Sequence, residues 1–209
     1  MKHDLSLYLV TDSKLCGERG VLGTVEAAVQ GGVSAVQLRD KHASARDLTQ
    51  LALALLEVLR EKGIPLIIND RLDVALSVEA DGVHLGQFDL DVQSARKIAG
   101  PDFLIGLTVS RTEEIAEVNL LPSGTLNYLG IGPIFRTSTK ENALDPIGLD
   151  GVAQLIHSTQ LPCIGIGGIS AENAAAAWST GLDGLAVVSA ICAAADPKVA
   201  AEAIRSARR

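Results

Sequence analysis

Gln37, Arg39 and Lys41 place an amide, a guanidinium and an ammonium at every second position after an apolar run. On a β-strand these three share one face, while Val36 and Leu38 take the other. A face so dressed suits an anion. Asp70 and Asp89 offer two carboxylates of the kind Mg²⁺ uses, since that ion prefers hard oxygen ligands and takes one or two protein carboxylates plus substrate phosphates. Taken singly, Asp70 also reads as a helix N-cap and Asp89 as a turn residue. Beside Arg39, Lys41 and Lys140 the carboxylates would only weaken an anion site, unless a metal joins them to it. The combination suggests a metal-bound diphosphate.

A second group of candidates is rich in glycine and hydroxyls. The segments Gly165-Ile166-Gly167-Gly168 and Val188-Ser189-Ala190 each end an apolar run. Glycine lets backbone N–H groups approach phosphate oxygens, and Ser189 adds a hydroxyl; the bland alternative is a tight strand-to-helix turn. Thr137-Ser138-Thr139-Lys140 adds hydroxyls and a cation, and Asn69, Thr108 and Ser110 also follow apolar runs. His84 stands in Asp81-Gly82-Val83-His84-Leu85-Gly86 with the parity of the glycines. A lone strand histidine is commonly a satisfied core residue, but Gln37, placed on an adjacent strand with similar parity, could join it in hydrogen-bonding a heterocycle.

These residues need a scaffold, and the chain supplies a regular one. Short runs rich in Val, Ile and Leu begin near residues 5, 35, 65, 82, 103, 126, 163 and 184, and helical patterns separate them. The clearest helix starts at Ser44, which with Asp47 resembles a capping box, and repeats Leu48, Leu51, Ala52, Leu55, Leu56 and Leu59 at helical spacing. Asp70 and Thr112 read as N-caps of later helices. A polar segment over 136–145 reads as a mobile cover. Eight strand-helix units with strands buried on both faces predict a single α/β domain, a (β/α)₈ TIM barrel over residues 1–209; an open doubly wound sheet is the alternative. In a barrel the C-terminal strand ends carry the site, and phosphate is often held by the loops after strands seven and eight, which are the two glycine and serine segments above.

Composition narrows the partners. The 209 residues are 47% hydrophobic but 3% aromatic, so the core is expected to rest on Ala, Val, Leu and Ile. A formal net charge of −7 argues against nonspecific binding to nucleic acid or to an anionic membrane, and makes a local cation cluster informative. Cys16, Cys163 and Cys192 lack metal-ligand spacing and read as reduced thiols. With no signal-peptide core and no spanning segment, the expected location is cytoplasmic.

Together the motifs resemble the thiamine phosphate synthase family. They are Tyr8-Leu9-Val10-Thr11-Asp12, Gln37-Leu38-Arg39-Asp40-Lys41, Ile68-Asn69-Asp70, Asp81-Gly82-Val83-His84-Leu85-Gly86-Gln87, Gly130-Ile131-Gly132-Pro133-Ile134-Phe135, Thr137-Ser138-Thr139-Lys140 and Gly165-Ile166-Gly167-Gly168-Ile169. The resemblance implies a TIM-barrel transferase of thiamine biosynthesis. It joins hydroxymethylpyrimidine diphosphate to a thiazole phosphate, the hydroxyethyl compound or its carboxylated form, with Mg²⁺ as cofactor and thiamine phosphate and pyrophosphate as products. By that resemblance Asp70 and Asp89 hold Mg²⁺, while Arg39, Lys41, Asn69, Thr108 and Lys140 bind the diphosphate. Arg39, Lys41 and Lys140 stabilise the leaving group, and Gln37 and His84 orient the pyrimidine. Thr137, Thr139, the backbone of Gly167 and Gly168, and the Val188-Ser189 turn hold the thiazole phosphate. The partners are then small molecules, with a homo-oligomer possible.

Two residues depart from that pattern. Thr108 stands where many relatives have Ser, and Arg136 stands where Pro is expected. Rival readings are a thiazole tautomerase on the same barrel, a non-catalytic phosphate-binding barrel, and another phosphate-binding barrel such as an isomerase of tryptophan biosynthesis. The first needs neither diphosphate nor Mg²⁺, so His84, Asp89, Lys41 and Lys140 together argue against it; the last would leave the Asp70 and Asp89 pair unused.

Overall fold

The structure is a computed structural model that describes residues 3–137 and 145–208. Eight parallel strands, β1 (Leu7–Val10), β2 (Ala35–Leu38), β3 (Leu66–Asn69), β4 (Gly82–Leu85), β5 (Leu104–Val109), β6 (Tyr128–Ile131), β7 (Cys163–Ile166) and β8 (Gly184–Val187), pair in sequence order. β1 also pairs with β8, so the sheet closes into a barrel and leaves no edge. The helices are α1 (Ser13–Cys16), α2 (Gly20–Gln30), α3 (Ala45–Arg60), α4 (Leu72–Ser77), α5 (Val92–Ala99), α6 (Thr112–Asn119), α7 (Gly148–Ile156), α8 (Ala174–Trp178), α9 (Ser189–Cys192) and α10 (Pro197–Ser206). This is the (β/α)₈ architecture that the rhythm of apolar runs predicts. None of the described helices is long and apolar enough to cross a membrane.

Two apolar layers follow from strand parity. Outward residues such as Val36, Leu38, Ile68, Val83 and Leu129 join the helices in one buried shell, which uses the Leu, Val, Ile and Ala expected of it. Inward residues, Tyr8, Val10, Ala35, Ile67, Tyr128, Ile164 and Ala186, form a separate plug in the barrel. Tyr8 and Tyr128 head the largest fully buried side chains, so the two tyrosines of the chain, which an aliphatic core did not anticipate, fill its centre. Gly106 makes their room: a Cβ there would lie 2.5 Å from the Tyr128 hydroxyl and 2.6 Å from His84 Nδ1.

Helix starts differ in instructive ways. Ser44 caps α3 as expected, accepting from the N–H of Asp47 at 3.2 Å and donating to its carboxylate at 2.7 Å. Asp70 does not cap α4. Arg71 occupies that position with no side-chain bond, and Asp70 itself adopts φ 61°, in the left-handed region. Thr112 is likewise inside α6, whose flanking residue is Arg111. α8 begins only at Ala174, because Asn173 ties up the preceding turn by accepting from Ser170 N–H and donating to the Gly168 carbonyl. The unanticipated α1 is capped by Asp12, whose carboxylate accepts from Leu15 N–H. All three cysteines are buried free thiols.

Candidate active site

The C-terminal ends of the strands open into a cavity lined by residues from all eight strands or the loops that follow them. Gln37, Arg39, Lys41, Asn69, Asp70, His84, Asp89, Thr108, Thr137, Gly167, Gly168, Val188 and Ser189 all line it, so the structure brings together every candidate it describes. Thr139 and Lys140 lie outside the described residues, as does most of the 136–145 segment. Strand register explains the convergence: the paired positions Gln37 with Ile67, Asn69 with His84, His84 with Gly106 and Thr108 with Gly130 all face inward on their strands.

One rim is ionic. Arg39 Nη1 lies 3.9 Å from Asp12 Oδ2, and Lys41 Nζ lies 3.9 Å from Asp70 Oδ2. Thr11 Oγ1 accepts from the backbone N–H of Arg39 at 3.0 Å and so fixes where the guanidinium begins. Asp40 has the opposite parity to Arg39 and Lys41, and its carboxylate accepts from Ser13 Oγ and from the N–H groups of His42 and Ala43. It thereby pins the β2 loop while its neighbours face the cavity.

The two candidate metal ligands meet. Burial, with a hydrogen bond that protonated Asp70 donates to Asp89 and the charge of that neighbour, pushes Asp70 up to about 6, against the pull of Lys41 and Asn69. Asp89 is aimed by Gly86, whose N–H donates to Oδ2 at 2.7 Å. Two carboxylates brought together at the cavity rim are a donor set with a place for a divalent cation, and with water and substrate oxygens they would satisfy Mg²⁺. Among the described residues no group of three or more His, Cys, Asp and Glu could hold a metal, so an ion at this pair would draw further oxygen ligands from elsewhere, such as water and substrate.

The floor of the cavity is neutral and tightly bonded. Gln37 Nε2 donates to Tyr8 Oη at 3.0 Å, the Tyr8 and Tyr128 hydroxyls are 3.0 Å apart, Tyr128 Oη meets His84 Nδ1 at 3.0 Å, and His84 Nε2 meets Thr108 Oγ1 at 2.8 Å. His84 stacks on Tyr128 with ring centres 5.5 Å apart. Gln37 and His84 lie on β2 and β4 with β3 between them, not on adjacent strands, and the two tyrosines join them across the barrel. Tyr128 carries no motif of its own in the sequence, although it shares inward parity with Gly130 and is one of two tyrosines.

The opposite rim is backbone. Gly167 and Gly168 have φ 104° and 65°, and a Cβ on Gly168 would lie 2.6 Å from the Arg136 carbonyl oxygen and 2.8 Å from Phe135 Cβ. The glycine turn therefore serves packing as well as opening a backbone face to the cavity beside Val188 and Ser189.

A closed parallel barrel whose strand ends gather cations, paired carboxylates and a glycine-lined rim defines a phosphate-handling (β/α)₈ enzyme scaffold. The sequence profile of a family described as thiamine monophosphate synthase matches residues 7–191. The chain belongs to that family. It is 55% identical over 203 residues to the thiamine-phosphate synthase of Azorhizobium caulinodans, covering 97% of this chain and 94% of the relative. It is 47% identical to that of a Psychrobacter species, covering 98% and 95%. A solved thiamine phosphate pyrophosphorylase from Pyrococcus furiosus superposes with a TM-score of 0.88 at 36% identity, covering 99% of this chain and 96% of the other. A 3-hexulose-6-phosphate synthase at 16% identity and TM-score 0.71 shares the fold alone.

Proposed function

We propose that this chain is a thiamine-phosphate synthase, a transferase that couples hydroxymethylpyrimidine diphosphate to thiazole phosphate with loss of pyrophosphate. The observation that carries the reading is the meeting of Lys41, Asp70 and Asp89 at one cavity rim, with Arg39 beside them, in a chain of this family. A pyrimidine ring fits the neutral floor at Gln37 and His84, its diphosphate reaches the ionic rim with Asn69 and Thr108, and the second substrate's phosphate meets Gly167, Gly168, Ser189 and Thr137. Thr139 and Lys140 extend these two sites in sequence.

The residues account for a dissociative substitution. The bond between the pyrimidine methylene and the diphosphate oxygen breaks first, the resulting cation is delocalised into the ring, and the thiazole nitrogen then attacks the methylene. Arg39 and Lys41 offset the charge that develops on the leaving pyrophosphate, and Lys140 is assigned the same task. The floor holds the ring while the glycine rim holds the nucleophile's phosphate, so the chain supplies position as much as charge. No protein nucleophile is required. Asp70 and Asp89 would hold Mg²⁺, which supplies further charge stabilisation to the leaving diphosphate when bound.

The test is to incubate the purified protein with both substrates, with and without Mg²⁺, and to measure thiamine phosphate and pyrophosphate. Metal-dependent formation of both is expected. Binding of the substrates without product would overturn the enzyme reading, and product formed equally well after chelation would overturn the metal assignment.

A further inference from the structure

The chain of hydrogen bonds on the cavity floor has a direction, and its direction is set by one amide. Tyr8 and Tyr128 are 1% and 0% exposed, and burial pushes both phenols up from their ordinary value, so each keeps its single proton. Gln37 Nε2 can only donate, so Tyr8 Oη accepts from it. Among the described residues the remaining partner of Tyr8 Oη is Tyr128, so the Tyr8 proton points there. Tyr128, already accepting, must then donate to His84 Nδ1. That leaves the imidazole proton on Nε2, where it is donated to Thr108 Oγ1. Thr108 in turn keeps its own hydroxyl proton for another acceptor, and Gln37 keeps Oε1.

We infer that Tyr8 and Tyr128 are positioning residues, a two-phenol relay that locks His84 as its neutral Nε2–H tautomer and fixes the orientation of the Gln37 amide. The ligand then meets an acceptor at Gln37 and a hydroxyl donor at Thr108, whose separation and polarity are set by groups that never touch it. His84, with both ring nitrogens bonded to protein hydroxyls, transmits this order rather than acting as an acid or base. The site has been built around the relay, because a Cβ at Gly106 would strike both Tyr128 and His84 Nδ1, and one at Gly130 would sit 3.1 Å from His84 Cε1. The opposite polarity would require the Gln37 amide to be turned over, with Oε1 on Tyr8 and the proton of His84 on Nδ1. It would present a donor to the ligand at Gln37 instead of an acceptor.

The tautomer can be read without substrate. The inference rests on the synthase reading only for its kinetic consequence, so the two can fail separately. In ¹⁵N NMR of the imidazole-labelled protein near pH 7, with His84 assigned by loss of its signals in His84→Asn, Nδ1 should be pyridine-like and Nε2 pyrrole-like. Tyr128→Phe should shift the Nδ1 signal, since its donor is gone. Tyr8→Phe and Tyr128→Phe should each raise the KM for the pyrimidine diphosphate about tenfold, the scale of one misplaced hydrogen bond, while the KM for the thiazole phosphate stays the same. A proton on Nδ1 in the wild type would overturn the assigned direction even if no variant folds. Variants with unchanged tautomer signals, or with an unchanged pyrimidine KM, would overturn the positioning role. A protein that forms no thiamine phosphate but shows the Nε2–H tautomer refutes the proposed function and leaves the relay standing.

Discussion

Lys41 and Asp70 face each other at 3.9 Å on neighbouring strand ends, yet Asp70 titrates upward and not downward. The ammonium is half exposed, whereas the carboxylate is partly buried against Asp89, so desolvation and like charge outweigh a screened attraction. A rim arranged this way holds its carboxylates at a cost that a divalent cation would relieve.

Replacing Asp70 with Asn should therefore separate stability from activity. The native carboxyl titrates near 6 and the unfolded one near 3.8, so between these values the folded state binds more protons. Its contribution to stability is fully present below the lower value and is lost as pH rises through the higher. Without Mg²⁺, Asp70→Asn should be more stable than wild type at pH 7 by about 1 kcal/mol after allowance for solvent screening, and equal to it near pH 4. Asn also tolerates the left-handed backbone at this position. Turnover should nevertheless fall by more than about a hundredfold, as should that of Lys140→Ala. Denaturant melts at the two pH values and steady-state rates check this; an Asn variant destabilised at pH 7 would contradict it.

Metal binding should be visible without chemistry. Mg²⁺ at about a hundred times its dissociation constant should raise wild-type stability by roughly 2.7 kcal/mol, and the rise should vanish in Asp89→Asn. Thermal melts across a Mg²⁺ series, with Ca²⁺ and chelator as controls, provide the measurement. Equal shifts in wild type and variant would place the ion elsewhere.

Gly168→Ala tests the glycine rim. The residue sits at φ 65°, and its new methyl would meet the Arg136 carbonyl and Phe135 Cβ. A loss of about 1–3 kcal/mol is expected, together with a raised KM for the thiazole phosphate and little change in that for the pyrimidine diphosphate. An equal rise in both would mean that the whole barrel mouth has loosened.

Much of this site was legible from parity. Gln37, Arg39 and Lys41 alternate along one strand, and eight repeats of the same unit force their inward face toward the mouth. What parity could not give was partnership across the barrel. Among the described residues Gln37 reaches His84 through Tyr8 and Tyr128, a contact spanning 120 residues between the two tyrosines, set by barrel closure and not by local pattern. Local chemistry misled in a similar way at Asp70. An aspartate before a helix usually caps it, but here the backbone turns into the left-handed region and delivers the carboxylate to the cavity.

Arg96 provides a control far from the chemistry. It lies on α5, and its guanidinium donates to the carbonyls of Gly100, Pro101, Phe103 and Thr125 and to Asn127 Oδ1, which in turn accepts from Ile105 N–H. One planar cation thus gathers the loops that lead into β5 and β6, and burial lowers its pKa from the ordinary guanidinium value. Lysine cannot reproduce the fork, and methionine would leave several carbonyls without their donor. Arg96→Met should cost about 2–4 kcal/mol and Arg96→Lys somewhat less, while kcat/KM at a temperature where each variant is folded should stay within about twofold of wild type. Urea melts and rates at 20 °C or so would decide it: a large kinetic loss in a fully folded Arg96→Lys protein would show that strain at this end of the barrel reaches Thr108 and the cavity floor.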